Sequence, residues 1–282
     1  ADAEPLIPQT ALMGMSKPCI FDDTVTGERV ATGNMISLTA NDTYTLSAWI
    51  KPNDTSHEGI MGIGNVYMSL CINGGYLEAR NYNSGAVLTN TDAHAITAGN
   101  LYHVVGVFTG GNVTLYSNGA STSAVACANE DEASQPVYLG YGGTADYYNG
   151  YLNECSIFDA ALSLAQVQEL FNDGVPFDLE NDSLTGSPTL TGYWRNDGVS
   201  TWTDRSTNSN DGTPAGSPET ILLPEGTTSG KDILGFPLTH TNNGWLNLDG
   251  TALSGATTLA EYVRIPDNVT LDGYDAMTWS FW

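Results

Sequence analysis

Residues 136–174 read PVYLGYGGTADYYNGYLNECSIFDAALSLAQVQELFNDG. The pattern predicts a strand over 137–140, an aromatic loop over 141–149 and a second strand over 150–158. If the second strand alternates strictly, its side chains divide between two faces: Leu152, Glu154, Ser156 and Phe158 on one, and Tyr151, Asn153, Cys155 and Ile157 on the other.

A short helix is predicted directly after this strand. Ser163 can cap free backbone N–H groups, and Gln166, three residues later, can complete a capping box. One apolar face follows at helical spacing, formed by Leu164, Val167, Leu170 and Phe171. Because so short a helix is marginal alone, we expect it to pack on the preceding sheet.

Several motifs occur in a fixed order over residues 34–174: YTLSAWIKP at 44–52, LYHVVGVFTGGNVTLYSNG at 101–119, Leu139-Gly140, Asn149-Gly150, Leu152-Asn153-Glu154 and Ala161-Leu162-Ser163. Together they resemble the laminin-G-like members of the concanavalin A-like lectin/glucanase superfamily. The resemblance implies an all-β fold, an antiparallel two-sheet jelly-roll sandwich with one short helix. It also implies adhesion or structural display, without specifying a ligand.

A similar set of motifs begins again with Gly192-Tyr193-Trp194, and TWSFW at 278–282 is similar to TLSAW at 45–49. We therefore predict that the sandwich is followed by the start of a second similar domain. The predicted parts are an N-terminal arm over 1–33, a first jelly roll over 34–176, a linker over 177–190 and an incomplete second jelly roll over 191–282. One alternative stays open: the strand at 192–196 could close the first sandwich, since the ends of a jelly roll lie close together.

Composition limits the classes of partner. The chain has 32 Asp and Glu residues against 8 Lys and Arg residues, a formal net charge of −24. Such a field repels nucleic acid and anionic membranes, and no membrane span is visible in the sequence. We expect the four cysteines to be reduced and unpaired, because their positions look apolar and no export signal is visible: Cys19, Cys71, Cys127 and Cys155.

Signs of catalysis are absent from the sequence. Laminarinase-type glucanases, which are similar enzymes of the same superfamily, carry their two catalytic glutamates on one strand as E-x-D-x-x-E or E-x-D-x-E. Glu180-Asn181-Asp182 begins that pattern, but Thr185 stands where the second glutamate belongs. Glu154 has no carboxylate partner at the required spacing, and we predict a structural hydrogen bond or ion pair for it. His103 falls where the family has a core strand. We therefore predict that the chain is not an enzyme.

The aromatic loop is the candidate glycan site. Aromatic faces stack on sugar C–H groups, while carboxylates and amides bond to hydroxyls. The candidate residues are Tyr141, Asp146, Tyr147 and Asn149. Tyr148 is predicted to be structural, because the family commonly has a core aromatic residue two positions before the glycine.

A second cluster of oxygen-bearing side chains follows at alternating spacing: Asp204, Ser206, Asn208, Asn210 and Asp211. Hard cations such as calcium prefer such ligands, so calcium is the candidate cofactor. An EF-hand would need glycine where Ser209 stands. A turn stabilised by its own side chains explains the same residues equally well.

Residues Asn172-Asp-Gly-x-Pro-x-Asp-Leu179, followed by Gly-Tyr-Trp-Arg and Leu223-Pro-Glu-Gly226, resemble structural proteins of marine phages. We therefore predict a non-enzymatic bacteriophage protein on the virion surface, of the decoration or fibre type. Its expected partners are other assembly proteins through 1–33, further copies of itself, and glycans. The alternative is a secreted bacterial adhesin or carbohydrate-binding module, including one that accompanies a glycosidase.

Overall fold

A computed structural model of the chain describes residues 19–21, 27–64, 67–83, 86–143, 146–195 and 202–216, with short strands at 219–220, 230–231 and 237–238. The chain divides into two compact units, Ala1–Leu222 and Leu223–Trp282. In the second unit, the described residues are two paired strands, Gly230–Lys231 and Pro237–Leu238. The features described below belong to the first unit.

The first unit consists mainly of strands, numbered here in chain order. They are β1 (Cys19–Phe21), β2 (Arg29–Leu38), β3 (Tyr44–Pro52), β4 (His57–Ile63), β5 (Met68–Asn73), β6 (Tyr76–Asn83), β7 (Ala86–Ala95), β8 (Tyr102–Thr109), β9 (Asn112–Ser117), β10 (Ala120–Ser121), β11 (Val125–Ala126), β12 (Glu132–Leu139), β13 (Gly150–Phe158), β14 (Leu190–Trp194), β15 (Thr213–Ala215) and β16 (Glu219–Thr220). One α-helix, α1 (Leu164–Phe171), follows β13.

The strands of the first unit form two antiparallel sheets. One has nine strands in the order β10-β9-β8-β3-β13-β1-β16, with β11 and β14 paired to β9 and β13. The other has seven strands in the order β15-β2-β12-β4-β5-β6-β7. Neighbours such as β3 and β8 are far apart in sequence, as expected of a jelly roll. The predicted all-β, two-sheet antiparallel jelly-roll sandwich with one short helix is confirmed.

The main hydrophobic core contains buried side chains from both sheets. The nine-stranded sheet contributes Leu46 and Val104, and the seven-stranded sheet contributes Leu70 and Leu139. Because side chains alternate along a strand, Met68, Leu70 and Ile72 of β5 face the core while Ser69 and Cys71 face outward. The outward-facing surface of the seven-stranded sheet is called the outer face below, and it carries the candidate site.

Helix α1 has the predicted capping box, with both reciprocal bonds between Ser163 and Gln166 present. Its buried residues, Val167 and Leu170, pack in a second hydrophobic cluster with Val105 and Val107 of β8. The helix therefore docks on the nine-stranded sheet, as its short length requires.

The segment 177–190, predicted to be a linker, is part of this packed structure. Leu184 is 2% exposed and Leu179 is 8% exposed, and both belong to the second hydrophobic cluster. Gln166 of the helix donates to the Thr185 carbonyl over 2.8 Å. Polar composition suggested a linker, but a few well-spaced leucines bury the segment against the helix.

The strict alternation predicted for β13 is wrong. Leu152, Cys155 and Ile157 all belong to the main core, whereas Phe158 belongs to the second cluster. The pairing of β13 with β3 shifts register between Asn153 and Ser156, and Glu154 there has a positive φ of 51°. This β-bulge reverses the orientation of the residues that follow it.

The predicted boundary at residue 191 also needs correction. Strand β14 pairs with β13, and β15 pairs with β2, so both lie in the first sandwich. Trp194 and Trp202 are 0% and 1% exposed in its main core. The alternative in which the Gly192 strand closes the first sandwich is therefore confirmed. A second domain would have to lie largely in residues outside the described part, and it stays a prediction.

Part of the predicted arm over 1–33 also belongs to the sandwich. Strand β1 pairs with β13, and the first residues of β2 pair with β12 and β15. Residues 1–18 and 22–26 lie outside the described residues, so an arm there stays a prediction. No helix among the described residues is long and apolar enough to cross a membrane.

The cysteines whose side chains are described are almost completely buried, Cys127 and Cys155 in the main core and Cys71 beneath the aromatic loop. Cys71, Cys127 and Cys155 are buried thiols and form no disulfide bond with one another. Burial raises the pKa of the Cys71 thiol to about 12, which keeps it protonated and unreactive at neutral pH. The side chain of Cys19 lies outside the description.

His103 is a core histidine, as predicted. Its ring lies 5.2 Å from that of Trp49 and 6.0 Å from that of Phe171, centroid to centroid. Its Nε2 is 2.8 Å from the Ser47 hydroxyl. Burial lowers the pKa of His103 from 6.5 to about 3, so the folded protein holds the imidazole neutral over most of the acid range.

This burial predicts an acid-dependent loss of stability. Between pH 6.5 and pH 3 the unfolded chain binds a proton that the folded chain does not bind, so stability falls as pH falls. From pH 6.5 to about 4.5, the wild type should lose roughly 2–3 kcal/mol more than a His103→Gln variant. Urea unfolding at a series of pH values measures the difference. Parallel stability curves for the two proteins would contradict the prediction.

Candidate functional site

The aromatic loop at 140–149 folds back over the outer face of the seven-stranded sheet. Its ends are joined by a bridge between Tyr141 and Tyr147 and by a bond from the Tyr148 N–H to the Gly140 carbonyl. Beneath it, a Cβ added at Gly59 of β4 would lie 2.0 Å from the Gly142 nitrogen. The loop backbone therefore touches the strand backbone, and only glycine allows this approach.

Three tyrosines and one arginine form a half-buried group beside this contact, named here the tyrosine platform: Arg29, Tyr138, Tyr141 and Tyr147. The Tyr141 and Tyr147 rings are 5.1 Å apart and tilted by 36°, and the Tyr138 ring meets Tyr141 edge-on at 5.3 Å. The Arg29 guanidinium lies 5.8 Å from the Tyr138 ring centre and 5.7 Å from that of Tyr141. Partly exposed stacked rings of this kind can cover an apolar sugar face.

Asp146 is oriented away from the platform and into the sheet. Its side chain is 10% exposed, and its carboxylate forms an ion pair with Arg80 of β6 and lies 3.1 Å from His57 Nδ1. Arg80 also binds Glu78. The structure therefore uses Asp146 to anchor the loop, because a buried guanidinium requires carboxylates beside it.

Asn149 and Tyr148 close the far end of the loop. The Asn149 N–H donates to the Glu58 carboxylate over 2.5 Å, and its side-chain oxygen accepts from Asn53 over 3.2 Å. Tyr148 is fully buried in the main core, as predicted, and burial raises its pKa well above 10. Of the four predicted glycan residues, the structure brings Tyr141 and Tyr147 together and places Asp146 and Asn149 at loop anchors.

Sequence reasoning missed Tyr138 and Arg29. Tyr138 could have been found, because alternation with the core residues Val137 and Leu139 places it on the outer face. Arg29 lies in a part of the chain that carries no strand signal before Met35. Its place beside the loop depends on the pairing of β2 with β12, which joins residues about a hundred positions apart.

The predicted calcium residues lie together in a turn that bonds to itself. The Asp204 carboxylate accepts from the N–H groups of Tyr193, Ser206 and Asn210 over 2.8–3.0 Å. Asp211 accepts from the Asp204 N–H over 2.9 Å, and the Asn208 amide donates to the carbonyls of β14. This geometry is that of a turn stabilised by its own side chains, which was the alternative to a calcium site. Among the described residues, no group of three His, Cys, Asp or Glu side chains could hold a metal ion.

A polar cleft of about 450 Å³ lies between this turn and the segment 179–190. Its walls include Asp182, Asn208 and Arg205, and its apolar part includes Leu179 and Pro188. Arg205 contacts Glu180 over 3.4 Å across one side of it. The cleft lacks an aromatic side chain, so it offers hydrogen bonds but no stacking surface.

Glu154 has the structural role that was predicted for it. It is 4% exposed, accepts a hydrogen bond from the Tyr193 hydroxyl and pairs with Arg195 over 3.1 Å. Burial first, and then the charge of Glu154, raise the pKa of Tyr193 above its ordinary value. The bond between Glu154 and Tyr193 links β13 to β14. The Glu154 carboxylate is therefore occupied by protein groups and is buried from solvent.

Comparison with known proteins agrees with this architecture. A laminin G family model described as the concanavalin A-like lectin/glucanases superfamily matches residues 24–168. A proposed carbohydrate-binding protein from Bacteroides ovatus is similar at 19% identity and a TM-score of 0.54, covering 75% of this chain and 61% of that one. No curated protein matches the chain by sequence.

Two further solved structures are similar at lower TM-scores. One is a heptameric SAP-like pentraxin from Limulus polyphemus, with 20% identity, a TM-score of 0.44, and coverage of 55% of this chain and 82% of that one. The other is domain 4 of the arabinanase AbnA from Geobacillus stearothermophilus in complex with arabinotriose, with 23% identity, a TM-score of 0.39, and coverage of 47% and 68%.

The fold is thus that of a lectin-like jelly-roll domain. The chain belongs to the concanavalin A-like lectin/glucanases superfamily.

Proposed function

We propose that this chain is a non-catalytic display protein of a bacteriophage virion surface that contacts glycans through the tyrosine platform. The observation that carries the glycan part is the stack of Tyr138, Tyr141 and Tyr147, held partly exposed on the outer face. Such rings supply apolar area for sugar C–H groups, and their hydroxyls can donate and accept hydrogen bonds.

The absence of catalysis is part of the proposal. Hydrolysis of glycosides by most glycosidases requires two carboxyl groups that face the substrate about 5–10 Å apart. Glu78 and Asp146 both bind the Arg80 guanidinium beneath the loop, and Glu154 is bound by Arg195. These buried, neutralised carboxylates are unsuited to act as an acid and a nucleophile.

Glycan binding should depend on the platform. Replacing Tyr147 by alanine should weaken binding about tenfold, because roughly 1.4 kcal/mol of stacking is lost. Tyr76→Ala is the matched control, since Tyr76 is 45% exposed at the start of β6 and lies outside the platform. A glycan array identifies the ligand, and calorimetry compares the variants. Equal losses in both variants, or in neither, would overturn the platform as the binding surface.

The display part of the proposal assigns anchoring to the N-terminal residues and expects several copies of the chain per assembly. Linked copies raise avidity even when each site binds weakly. The net charge of −24 favours solubility of crowded copies. Because β1 and β2 belong to the sandwich, the deletion that tests the anchor should stop at residue 18. Normal incorporation of the truncated protein into particles, measured by mass spectrometry of purified virions, would overturn the anchor.

A secreted adhesin or carbohydrate-binding module, including one that accompanies a glycosidase, is the second candidate. The same platform favours it, since an exposed aromatic surface suits binding to a polysaccharide in either setting. Quantitative mass spectrometry of purified virions and of bacterial culture supernatants separates the two. Enrichment in virions supports the display protein, and enrichment in supernatants supports the module.

A further inference from the structure

The charges of the described arginines are neutralised with one exception. Arg80, Arg195 and Arg205 lie 2.5, 3.1 and 3.4 Å from the carboxylates of Glu78, Glu154 and Glu180. None of the ion pairs among the described residues includes Arg29. In a chain with four times as many acidic as basic residues, a guanidinium without a carboxylate is unexpected.

Arg29 is nevertheless held in a defined place. Its Nη1 donates to the Gly27 carbonyl over 3.2 Å, and its guanidinium lies within 6 Å of the Tyr138 and Tyr141 ring centres. Its Nε is buried and has no hydrogen-bond partner among the described atoms. Because Val30 faces the core, alternation directs Arg29 to the outer face, where the platform lies. The side chain is thus a positioned donor beside stacked rings.

We infer that the glycan bound by the tyrosine platform carries an anionic group, a carboxylate or a sulfate, which Arg29 binds. This inference rests on the proposed glycan binding. A guanidinium offers two parallel N–H donors to a carboxylate or sulfate, and such charge-assisted bonds are stronger than neutral ones. The rings orient the guanidinium before the ligand arrives, which reduces the entropy lost on binding.

The rest of the molecule restricts the ligand further. A net charge of −24 repels anions at long range, and salt screens this field over about 10 Å at 0.1 M. A single acidic group in contact with Arg29 lies within that distance of its partner. The other charges of a polyanion lie farther from Arg29 than this distance, so Arg29 does not attract them. They lie close to the acidic surface of the protein, which repels them. The ligand is therefore a glycan with an isolated acidic residue and not a polyanion such as heparin.

Calorimetry with matched oligosaccharides tests this directly. The probes are a neutral oligosaccharide, the same chain ending in one glucuronic acid, the methyl ester of that acid, a monosulfated form, and heparin. The wild type should bind the acid or the monosulfated form about tenfold more tightly than the neutral chain and the ester. The acid and sulfate arms identify which anion is preferred.

Variants assign the preference to Arg29. Arg29→Met keeps much of the contact with the rings and should bind acid and ester equally. Arg29→Lys retains the charge without the fork and should keep a reduced preference. Arg205→Gln removes another partly exposed arginine and should retain the full preference. Thermal unfolding of each variant verifies that it is folded. If Arg29→Met does not fold, the affinities of Arg29→Lys for the acid and for the ester are compared instead, and a preference equal to that of the wild type would overturn the assignment to Arg29.

The outcomes separate this inference from the proposed function. If Tyr147→Ala abolishes binding but acid and ester bind the wild type equally, the inference is overturned and glycan binding stands. Tighter binding of heparin than of the single acid also overturns it. If no probe and no glycan on an array binds, both are overturned. An acid preference that disappears in Arg29→Met and persists in Arg205→Gln supports the inference.

Discussion

Replacing Arg80 by methionine is expected to lower the free energy of unfolding by about 3–5 kcal/mol, because the change leaves buried carboxylates without a partner. Glu78 is fully buried, and the Asp146 side chain is 10% exposed. Both bind the Arg80 guanidinium, which is itself 2% exposed. Methionine can occupy the space of the arginine stem but cannot neutralise either charge. Urea unfolding at pH 7 measures the loss.

The matched control is Arg205→Met. The Arg205 and Glu180 side chains are 31% and 37% exposed, so water solvates the carboxylate when its partner is removed. An exposed pair of this kind contributes up to about 1 kcal/mol. Similar losses in the two variants would mean that water reaches the Arg80 cluster, and would contradict the burial described for it.

The Arg80 cluster also holds the loop that carries two platform tyrosines. Asp146 lies between Gly143 and Tyr147 in sequence, and its ion pair with Arg80 joins the loop to β6. Arg80→Met should therefore weaken glycan binding as well as stability, although Arg80 lies beneath the loop. Full glycan affinity in a folded Arg80→Met protein would show that the loop is held by Gly59 and the core alone.

Truncating Leu170 to alanine should cost about 2–4 kcal/mol, because the residue is 4% exposed between helix α1 and the nine-stranded sheet. The loss combines the removed apolar contacts with the cavity that remains. Its size depends on how far the surrounding leucines can collapse, including Leu179 and Leu184 of the packed segment. Equilibrium unfolding measures it.

Leu164→Ala on the same helix is the control. Leu164 is 45% exposed, and alanine is at least as good a helix former as leucine. Its replacement should change stability by less than about 0.5 kcal/mol. A Leu170→Ala cost close to that of Leu164→Ala would mean that the helix is not docked.

Local patterns in the sequence specify much of this architecture. The capping box of α1 forms between the predicted residues, because it depends on neighbours three positions apart. Strands β8 and β9 both lie within the motif at 101–119, where runs of apolar residues end at turn residues. The core positions of Tyr148 and His103 followed from the ordered motifs that mark the family.

The sequence was least informative where local pattern and tertiary packing compete. Segment 177–190 has a loop composition, yet two leucines bury it against the helix. In β13, period-two alternation fails at the bulge around Glu154, because Arg195 and Tyr193 hold that carboxylate in a buried bond. The sequence of one strand does not show which residues of another strand will contact a bulged residue.

The candidate site depends most strongly on tertiary structure. Tyr141 and Tyr147 could be selected from sequence, because both lie in one short aromatic loop. The direction of Asp146 could not, since it depends on Arg80, which is 66 positions earlier in the chain. Arg29 reaches the platform only because β2 pairs with β12. Residue type thus determined which side chains could bind a ligand, whereas sheet pairing and buried charge decided which of them face outward together.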